Sequence, residues 1–212
     1  MDNIQLIAQS AIRVQSKENK IFYFDPYELG ESIRNDADYI FITHPHFDHF
    51  SPKDIEKIKK DSTKIIAPIE LEEDIKNLGF GKDEILLVVP NKEYSIDSII
   101  FKTIPSYNIN KDFHKKEYNW VGYIVNIDNT DIYVAGDTDS TEEAKNVKCD
   151  IACVPIGGTY TMTYEEAANL IKEIKPKLAI PIHYKTIVGT TEDAYEFKKL
   201  LNEYVDVKIL MI

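Results

Sequence analysis

Metal-binding side chains are concentrated in one short stretch of this sequence. His44, His46, Asp48 and His49 stand close together, and three of the chain's five histidines are among them. Neutral imidazole binds zinc, iron and manganese ions well, and a nearby carboxylate supplies compensating negative charge. A polar turn before a helix seldom combines these residue types without holding a ligand. The stretch therefore predicts a metal site rather than an ordinary turn.

The surrounding sequence would place these residues at the end of a strand. Apolar residues 39–42 come directly before the first histidine, and two later apolar segments end at Asp137 and at His183. Binding sites in α/β sheets favour the carboxyl ends of strands. Asp137 and His183 are therefore candidate ligands, although a turn Asp and a His at the edge of the core would also fit. Asp25 could orient a ligand histidine, or it could simply form the turn before the next proline.

Short apolar segments alternate with turn signals along the whole chain. Predicted strands cover residues 4–8, 11–14, 21–24, 65–67, 85–89, 99–104, 120–127, 132–135, 151–154, 178–182 and 205–210. Predicted helices cover residues 52–60 after the cap Ser51, 70–78 before Gly79, a segment capped by Ser140, a segment capped by Thr163, and 192–201. Strands and helices alternate in both halves, and no linker rich in Gly, Pro or Ser divides them. We therefore expect one α/β domain spanning residues 1–212, with two packed sheets and helices outside in four layers.

The composition is that of an ordinary globular protein with an acidic surface. The net charge of −11 disfavours nucleic-acid partners. No apolar run approaches the roughly 20 residues that span a bilayer, and the first residues lack the basic and apolar regions of a secretory signal. The two cysteines suggest no disulfide framework. These features predict a cytoplasmic protein that does not associate with a membrane.

The motifs T-H-x-H-x-D-H, G-D-T and P-I-H-Y occur in this order along the chain. They resemble the signature of the metallo-β-lactamase fold superfamily, and more closely a small prokaryotic branch akin to the ascorbate-phosphate lactonases and N-acyl-phosphatidylethanolamine phospholipase D. The resemblance implies an αββα sandwich of two mixed sheets with helices on both outer faces. It also implies two divalent metal ions, with zinc expected and manganese or iron as alternatives. In the family pattern the first ion would be held by His44 and His46, the second by Asp48, His49 and His183, and both by Asp137.

One position departs from the family pattern. Relatives carry a further histidine for the first ion in a P-x-x-H context, whereas residues 105–108 end in Asn108. Three alternatives follow: Asn108 binds the ion through its carbonyl oxygen, His114 in the long polar loop 106–119 supplies the imidazole, or the ion lacks this ligand. We favour His114.

Two divalent ions that share a water would convert it to a hydroxide nucleophile near neutral pH. The leading hypothesis is a metal-dependent hydrolase that uses this bridging hydroxide to cleave a small ester, lactone or phosphodiester, with Asp48, Asp137 and His183 as catalytic residues. The ions outweigh the negative charge of their ligands, so we expect a small anionic substrate. The candidate substrate contacts are Tyr107, Asn108, Thr159, Tyr160 and Lys185. A nuclease of the same fold and a non-enzymatic metal-binding module with a degenerate site are the alternatives. A homo-oligomer is compatible with all three hypotheses.

Overall fold

The computed structural model describes residues 3–33 and 35–211, and the chain divides into two compact units. The N-terminal unit ends at Val89, and the C-terminal unit begins at Pro90. Each unit contains one mixed β-sheet, which confirms the predicted α/β class with two mixed sheets. Within the described ranges, no helix combines the length and the apolar character needed to span a membrane.

The N-terminal unit is built on a six-stranded sheet whose strands lie in sequence order. Its elements are β1 (Ile4–Ala8), β2 (Ala11–Gln15), β3 (Ile21–Phe24), β4 (Tyr39–Phe41), α1 (Pro52–Ile58), β5 (Lys64–Pro68), α2 (Glu72–Asn77) and β6 (Ile85–Val88). The first three strands, all of them predicted, form an antiparallel meander. β3, β4, β5 and β6 run parallel to one another, so their carboxyl ends share one edge of the sheet.

Helices α1 and α2 share a buried apolar cluster with this sheet. Ile40 of β4 and Ile65 of β5 belong to the same cluster as Ile55 and Ile58 of α1 and Ile75 of α2. Full burial of an isoleucine side chain is worth about 1.5–3 kcal/mol relative to exposure. This packing fixes β4, the strand that leads into the histidine motif.

Helix α1 begins directly after the histidine motif, as predicted. The side chain of Ser51 accepts a hydrogen bond from the backbone N–H of Asp54, and Pro52 occupies the first turn. The helix ends at Ile58, two residues before the predicted end, because Lys59 already has an extended conformation. The N-cap Ser51 therefore marks the point at which the turn that carries the histidines ends and α1 begins.

Asp38 ties the start of β4 to its neighbours. Its carboxylate accepts hydrogen bonds from the Ile21 N–H at 2.9 Å, from Lys60 at 3.0 Å and from Lys20 at 3.1 Å. Burial alone would raise the pKa of Asp38, but these hydrogen bonds outweigh it and hold the pKa below its usual value. The ionised carboxylate therefore helps to hold β4 against β3.

The C-terminal unit is built on a seven-stranded sheet with the strand order β13-β12-β11-β10-β9-β8-β7. Its elements are β7 (Glu93–Ile96), β8 (Ile99–Pro105), β9 (Val121–Ile127), β10 (Thr130–Val134), α3 (Glu142–Lys145), β11 (Ile151–Pro155), α4 (Tyr164–Ile174), β12 (Leu178–Ile182), α5 (Thr191–Leu201) and β13 (Asp206–Val207). β7 to β10 are antiparallel, and β10 to β13 are parallel. The carboxyl ends of β10 and β12 consequently lie at the same edge of the sheet.

Strands β9 and β10, both predicted, form an antiparallel hairpin. Asp128 and Asn129 have φ values of 55° and 61°, as a two-residue turn of type I′ requires. Gly122 in β9 is needed for a different reason, because a Cβ atom there would lie 2.6 Å from the carbonyl oxygen of Ala135. This close approach positions the segment after β10, which leads to Asp137.

The two predicted helix caps in this unit have different outcomes. Thr163 caps α4 as predicted, because its side chain accepts from the N–H of Glu166 and the Glu166 carboxylate accepts from the N–H of Thr163. Helix α3 is instead capped by Thr141, whose side chain accepts from the N–H of Ala144, so the prediction of Ser140 is wrong. Both hydroxyl residues suit an N-cap, and the local sequence does not select between them.

Three larger differences from the predicted elements remain. The helix predicted at residues 70–78 is divided into a 3₁₀ turn at Ile69–Leu71 and α2. The strand predicted at residues 205–210 is reduced to β13, because only its two residues pair with β12. Strand β7 was not predicted, since its residues are exposed or partly exposed and the segment lacks the apolar content of a core strand.

Neither cysteine forms a disulfide. Cys153 is buried in β11, and Cys149 is partly exposed just before that strand. Burial raises the pKa of the Cys149 thiol to about 12, with the nearby carboxylates of Asp150 and Asp131 adding to the rise. Burial also raises the pKa of Cys153. Both thiols are therefore expected to stay protonated and unreactive at neutral pH.

Candidate metal centre

The histidine motif occupies the turn between β4 and α1. Its backbone folds tightly, because the N–H groups of His49 and Phe50 both donate to the carbonyl oxygen of His46, at 2.9 and 2.7 Å. Nε2 of His44 lies 3.0 Å from Nδ1 of His46, and Nε2 of His49 lies 3.5 Å from Oδ2 of Asp48. The turn therefore gathers all four of the ligands predicted in this unit.

Asp25 and Thr43 hold two of these histidines by their Nδ1 atoms. Oδ2 of Asp25 lies 2.7 Å from Nδ1 of His49 and accepts the Thr43 hydroxyl proton at 2.7 Å. Because the Thr43 hydroxyl has no second proton, it must accept from Nδ1–H of His44 at 3.0 Å. Both rings then carry their proton on Nδ1, which leaves the Nε2 lone pair for a metal ion. The geometry thus favours an orienting role for Asp25 over that of a simple turn residue.

Asp25 is completely buried at the end of β3. Burial raises the pKa of Asp25, while the neighbouring His49 and the hydrogen bonds from the N–H and hydroxyl of Thr43 oppose that rise. Every one of these contacts uses Asp25 as an acceptor. The ionised form of the carboxylate therefore fits its surroundings best.

Gln9 contacts the motif from the turn between β1 and β2. Its Nε2 donates to Oδ2 of Asp48 at 3.3 Å, and the side chain is fully buried. Sequence reasoning missed both Gln9 and Thr43 as site residues. Gln9 lies 39 positions from its partner, and a glutamine in a hairpin turn gives no local signal of such a contact.

In the C-terminal unit, Asp137 lies beside two histidines. Its Oδ2 atom is 3.2 Å from Nε2 of His114 and 3.1 Å from Nε2 of His183. All three side chains are buried. Asp137 follows β10 and His183 follows β12, as the sequence predicted. The structure therefore brings together the three ligands predicted in this unit.

His114 reaches Asp137 because the loop between β8 and β9 folds back on itself. The N–H of Asn108 donates to the carbonyl oxygen of His114 at 2.8 Å, and His114 has a φ of 55°. The indole of Trp120 packs edge-on against the imidazole, with ring centroids 5.4 Å apart. Nδ2 of Asn108 donates to the carbonyl oxygen of Tyr160 at 2.7 Å and lies 3.3 Å from Nδ1 of His114.

Gly157 permits the close approach of the His183 turn. A Cβ atom at Gly157 would lie 2.5 Å from the carbonyl oxygen of His183 and 2.6 Å from Cγ2 of Val188. No side chain fits there without a backbone shift, so only glycine allows this packing. His183 itself adopts a φ of 56°.

The hydroxyl of Tyr107, a predicted substrate contact, forms hydrogen bonds within the C-terminal unit. Its hydroxyl donates to Glu143 of α3 at 2.8 Å and accepts from Lys116 at 3.2 Å. Lys116 lowers the pKa of Glu143, and burial together with the Glu143 hydrogen bond raises the pKa of Tyr107. The network connects the loop that carries His114 to α3.

The other predicted substrate contacts differ in exposure. Thr159 and Lys185 are exposed, whereas Tyr160 is partly buried. Tyr160 packs edge-on against Phe113, with ring centroids 4.9 Å apart. Asn108 is buried.

The chain resembles known proteins over almost its whole length. Residues 3–183 match the family described as the Beta-lactamase superfamily domain. This match and the fold show that the chain belongs to the beta-lactamase superfamily. Among curated proteins it is similar to a UPF0173 metal-dependent hydrolase of Pyrococcus horikoshii, at 33% identity, and to one of Pyrococcus furiosus, at 30%. Each alignment covers 99% of this chain and 96% of the relative.

Solved structures agree with this assignment of the fold. A crystal structure from Parabacteroides distasonis, whose protein is described as a candidate metal-dependent hydrolase, superposes with a TM-score of 0.82 at 32% identity. The match covers 97% of this chain and 91% of that one. The metallo hydrolase Igni18 of Ignicoccus hospitalis superposes with a TM-score of 0.79 at 23% identity, over 97% of this chain and 93% of that one, and supports the fold alone.

Proposed function

We propose that this chain is a metal-dependent hydrolase that cleaves a small ester, lactone or phosphodiester at a dinuclear centre. The observation that carries the proposal is the spacing of donor atoms within each unit. Around a tetrahedral ion with bonds of about 2.0–2.1 Å, neighbouring ligand atoms lie about 3.3 Å apart. The nitrogen and oxygen pairs of the two units are 3.0–3.5 Å apart. The donor set of imidazoles and carboxylates therefore fits zinc, manganese or iron.

The proposed ligand assignment follows the family resemblance, with His114 in the place of the histidine that relatives carry at the position of Asn108. The first ion would be held by His44, His46 and His114, the second by Asp48, His49 and His183, and both by Asp137. Support within the N-terminal unit comes from Thr43 and Asp25, which leave the Nε2 lone pairs of His44 and His49 available. Support within the C-terminal unit comes from the position of Asp137 beside both of its histidines.

Different residues of the chain would have different roles in hydrolysis. When bound, divalent ions lower the pKa of a water molecule and polarise the carbonyl or phosphoryl oxygen of a substrate. Asp25 and Thr43 keep two imidazoles in the tautomer that binds metal. Gln9 orients Asp48 through its hydrogen bond to Oδ2. The catalytic residues of the proposal are Asp48, Asp137 and His183.

The charge of the site favours an anionic substrate. Two divalent ions bring four positive charges, and Asp48, Asp137 and a hydroxide return three, so the ions with these ligands carry a net charge of about +1 in a chain of net charge −11. We propose that a carboxylate or phosphate of a small substrate is attracted to this centre. The proposed contacts for it are Tyr107, Asn108, Thr159, Tyr160 and Lys185.

The test is a reconstitution assay. Protein stripped with a chelator would be reloaded with Zn²⁺ or Mn²⁺ and offered p-nitrophenyl acetate, a simple lactone and bis(p-nitrophenyl) phosphate, and, in parallel, single-stranded RNA and DNA. We expect hydrolysis of at least one substrate to return with metal and to stay absent in His49→Ala. Metal binding without turnover would contradict the proposal in favour of a binding module, and cleavage restricted to RNA or DNA would favour the nuclease.

A further inference from the structure

Nδ1 of His44 and of His49 faces a hydrogen-bond acceptor, whereas Nδ1 of His114 faces a donor. Nδ1 of His49 faces a carboxylate oxygen of Asp25, and Nδ1 of His44 faces a hydroxyl oxygen of Thr43 that must accept a proton. Both therefore carry the proton on Nδ1. Nδ1 of His114 faces the amide nitrogen of Asn108 at 3.3 Å. This neighbour is a donor, so the same argument gives His114 the other tautomer.

The orientation of the Asn108 amide is fixed by a second contact. Its Nδ2 atom donates to the carbonyl oxygen of Tyr160 at 2.7 Å, and a carbonyl oxygen can only accept. Turning the amide over would place two oxygens against each other. Nδ2 is therefore the atom that meets the His114 ring, and it offers its second proton to Nδ1.

The position of Asp137 is compatible with this tautomer. If Nδ1 accepts from Asn108, a neutral ring carries its proton on Nε2, and Nε2 lies 3.2 Å from Oδ2 of Asp137. The Asn108 oxygen Oδ1 is buried and has no hydrogen-bond partner within the described part of the chain. In this orientation of the amide, Nδ2 faces the His114 ring and Oδ1 accepts no hydrogen bond from the described residues.

We propose that Asn108 is a positioning residue that holds His114 in the Nε2–H tautomer and thereby makes it a weak, exchangeable ligand. The proposal rests on the proposed function insofar as His114 binds the first ion. A metal ion needs the Nε2 lone pair, so the ring must release the Nε2 proton to solvent and take one up on Nδ1. Nδ1–H then opposes the Asn108 amide unless Oδ1 turns towards it and gives up the bond to Tyr160.

The decisive measurement uses metal-free protein labelled with ¹⁵N. Long-range ¹H–¹⁵N correlation spectra distinguish the two imidazole tautomers, and a His114→Ala spectrum assigns the signal. In wild type we expect the Nε2–H tautomer for His114. In Asn108→Asp, which presents only acceptors, we expect the Nδ1–H tautomer. An Nδ1–H tautomer in wild type overturns the proposal without any variant at position 108.

The second measurement is metal affinity in a double-mutant cycle. Partners that orient a ligand histidine typically change metal affinity 10–100-fold, so Asn108→Asp should tighten the weaker Zn²⁺ site by about that factor. The gain should vanish in a His114→Ala background. An equal gain in that background would show that only the added negative charge acts, and would overturn the proposal.

Asn146→Asp is the matched control. Nδ2 of Asn146 also donates to a backbone carbonyl at 2.7 Å, that of Glu142, so its substitution removes the same type of bond and adds the same charge at the end of α3, on a residue to which the proposal gives no role. We expect neither the His114 tautomer nor the Zn²⁺ affinity to change. If wild type binds no metal at all, the proposed function fails, while the tautomer spectra still decide the role of Asn108.

Discussion

Replacing Asp25 with asparagine tests whether a buried carboxylate sets the metal affinity of the histidine turn. Oδ1 of Asp25 accepts from the Thr43 N–H at 2.8 Å, and Oδ2 accepts from the Thr43 hydroxyl and from His49 Nδ1, each at 2.7 Å. In either orientation, an asparagine amide would turn its NH₂ group against at least one donor. Because hydrogen bonds to charged groups contribute about 1.5–3 kcal/mol each, we expect the free energy of unfolding of the metal-free protein to fall by about that amount.

The same substitution should weaken metal binding. A neutral amide is a poorer acceptor for Nδ1–H of His49 than a carboxylate, so Nε2 becomes a weaker ligand. We expect Zn²⁺ affinity to fall about 10–100-fold. The affinity would be measured by competition with a chromophoric chelator, and the stability by urea unfolding of the metal-free protein.

Asp54 provides a matched control in the same unit. Its Oδ1 accepts from the Leu29 N–H at 3.0 Å, and its Oδ2 accepts from the Glu28 N–H at 3.0 Å and the Ser51 hydroxyl at 2.7 Å. Asp54→Asn should therefore cost a similar amount of stability but leave Zn²⁺ affinity unchanged. The reasoning is refuted if both variants lose Zn²⁺ affinity equally. It is also refuted if Asp25→Asn loses stability but keeps its Zn²⁺ affinity.

Three further predictions concern other parts of the chain. Gly157→Ala should lower the free energy of unfolding by about 1–3 kcal/mol and reduce metal content, because the new Cβ would lie 2.5 Å from the His183 carbonyl oxygen; urea unfolding and elemental analysis check this, and wild-type values for both would contradict it. Because the pKa of Cys149 is raised from 9.0 to about 12, iodoacetamide should alkylate it roughly 30- to 60-fold more slowly in the folded than in the unfolded chain, since the smaller thiolate fraction outweighs the greater nucleophilicity of that thiolate; equal rates by mass spectrometry would be inconsistent with this pKa. Asp38→Asn should destabilise the protein by about 1 kcal/mol near neutral pH. Since the folded pKa of Asp38 lies below its unfolded value, this difference is fully present above about pH 4 and disappears as pH falls through the folded pKa; a difference that persists at the lowest pH in urea titrations would refute it.

Much of the fold could be predicted because its central strands are buried and apolar. All residues of β4, β11 and β12 are buried, and such runs stand out from the turns that flank them. The break between the predicted strands 120–127 and 132–135 was equally visible, because it contains Asp128 and Asn129, two residue types that tolerate a positive φ. Strand β7 was missed because it has too little apolar character to be distinguished from a loop.

The candidate site was predictable where ligands follow strands, and less so elsewhere. His44, Asp137 and His183 each come just after an apolar segment, so their placement follows from the sheet. The position of His114 depends instead on a loop closed by the hydrogen bond from Asn108. The contact of Gln9 with Asp48 joins a hairpin turn to a distant motif. Such long-range contacts arise from tertiary packing and leave no periodic pattern in the sequence.

The central proposal is that His49 and His183 hold the same ion, and one measurement tests it directly. Elemental analysis of metal-saturated protein would be made for wild type, His49→Ala, His183→Ala and the double variant. We expect about two ions per chain in wild type and about one in each single variant. The double variant should also retain about one ion, because both histidines are proposed to hold the second ion. A double variant that holds no metal, while each single variant holds one ion, would show that the two histidines serve separate ions and would contradict the account.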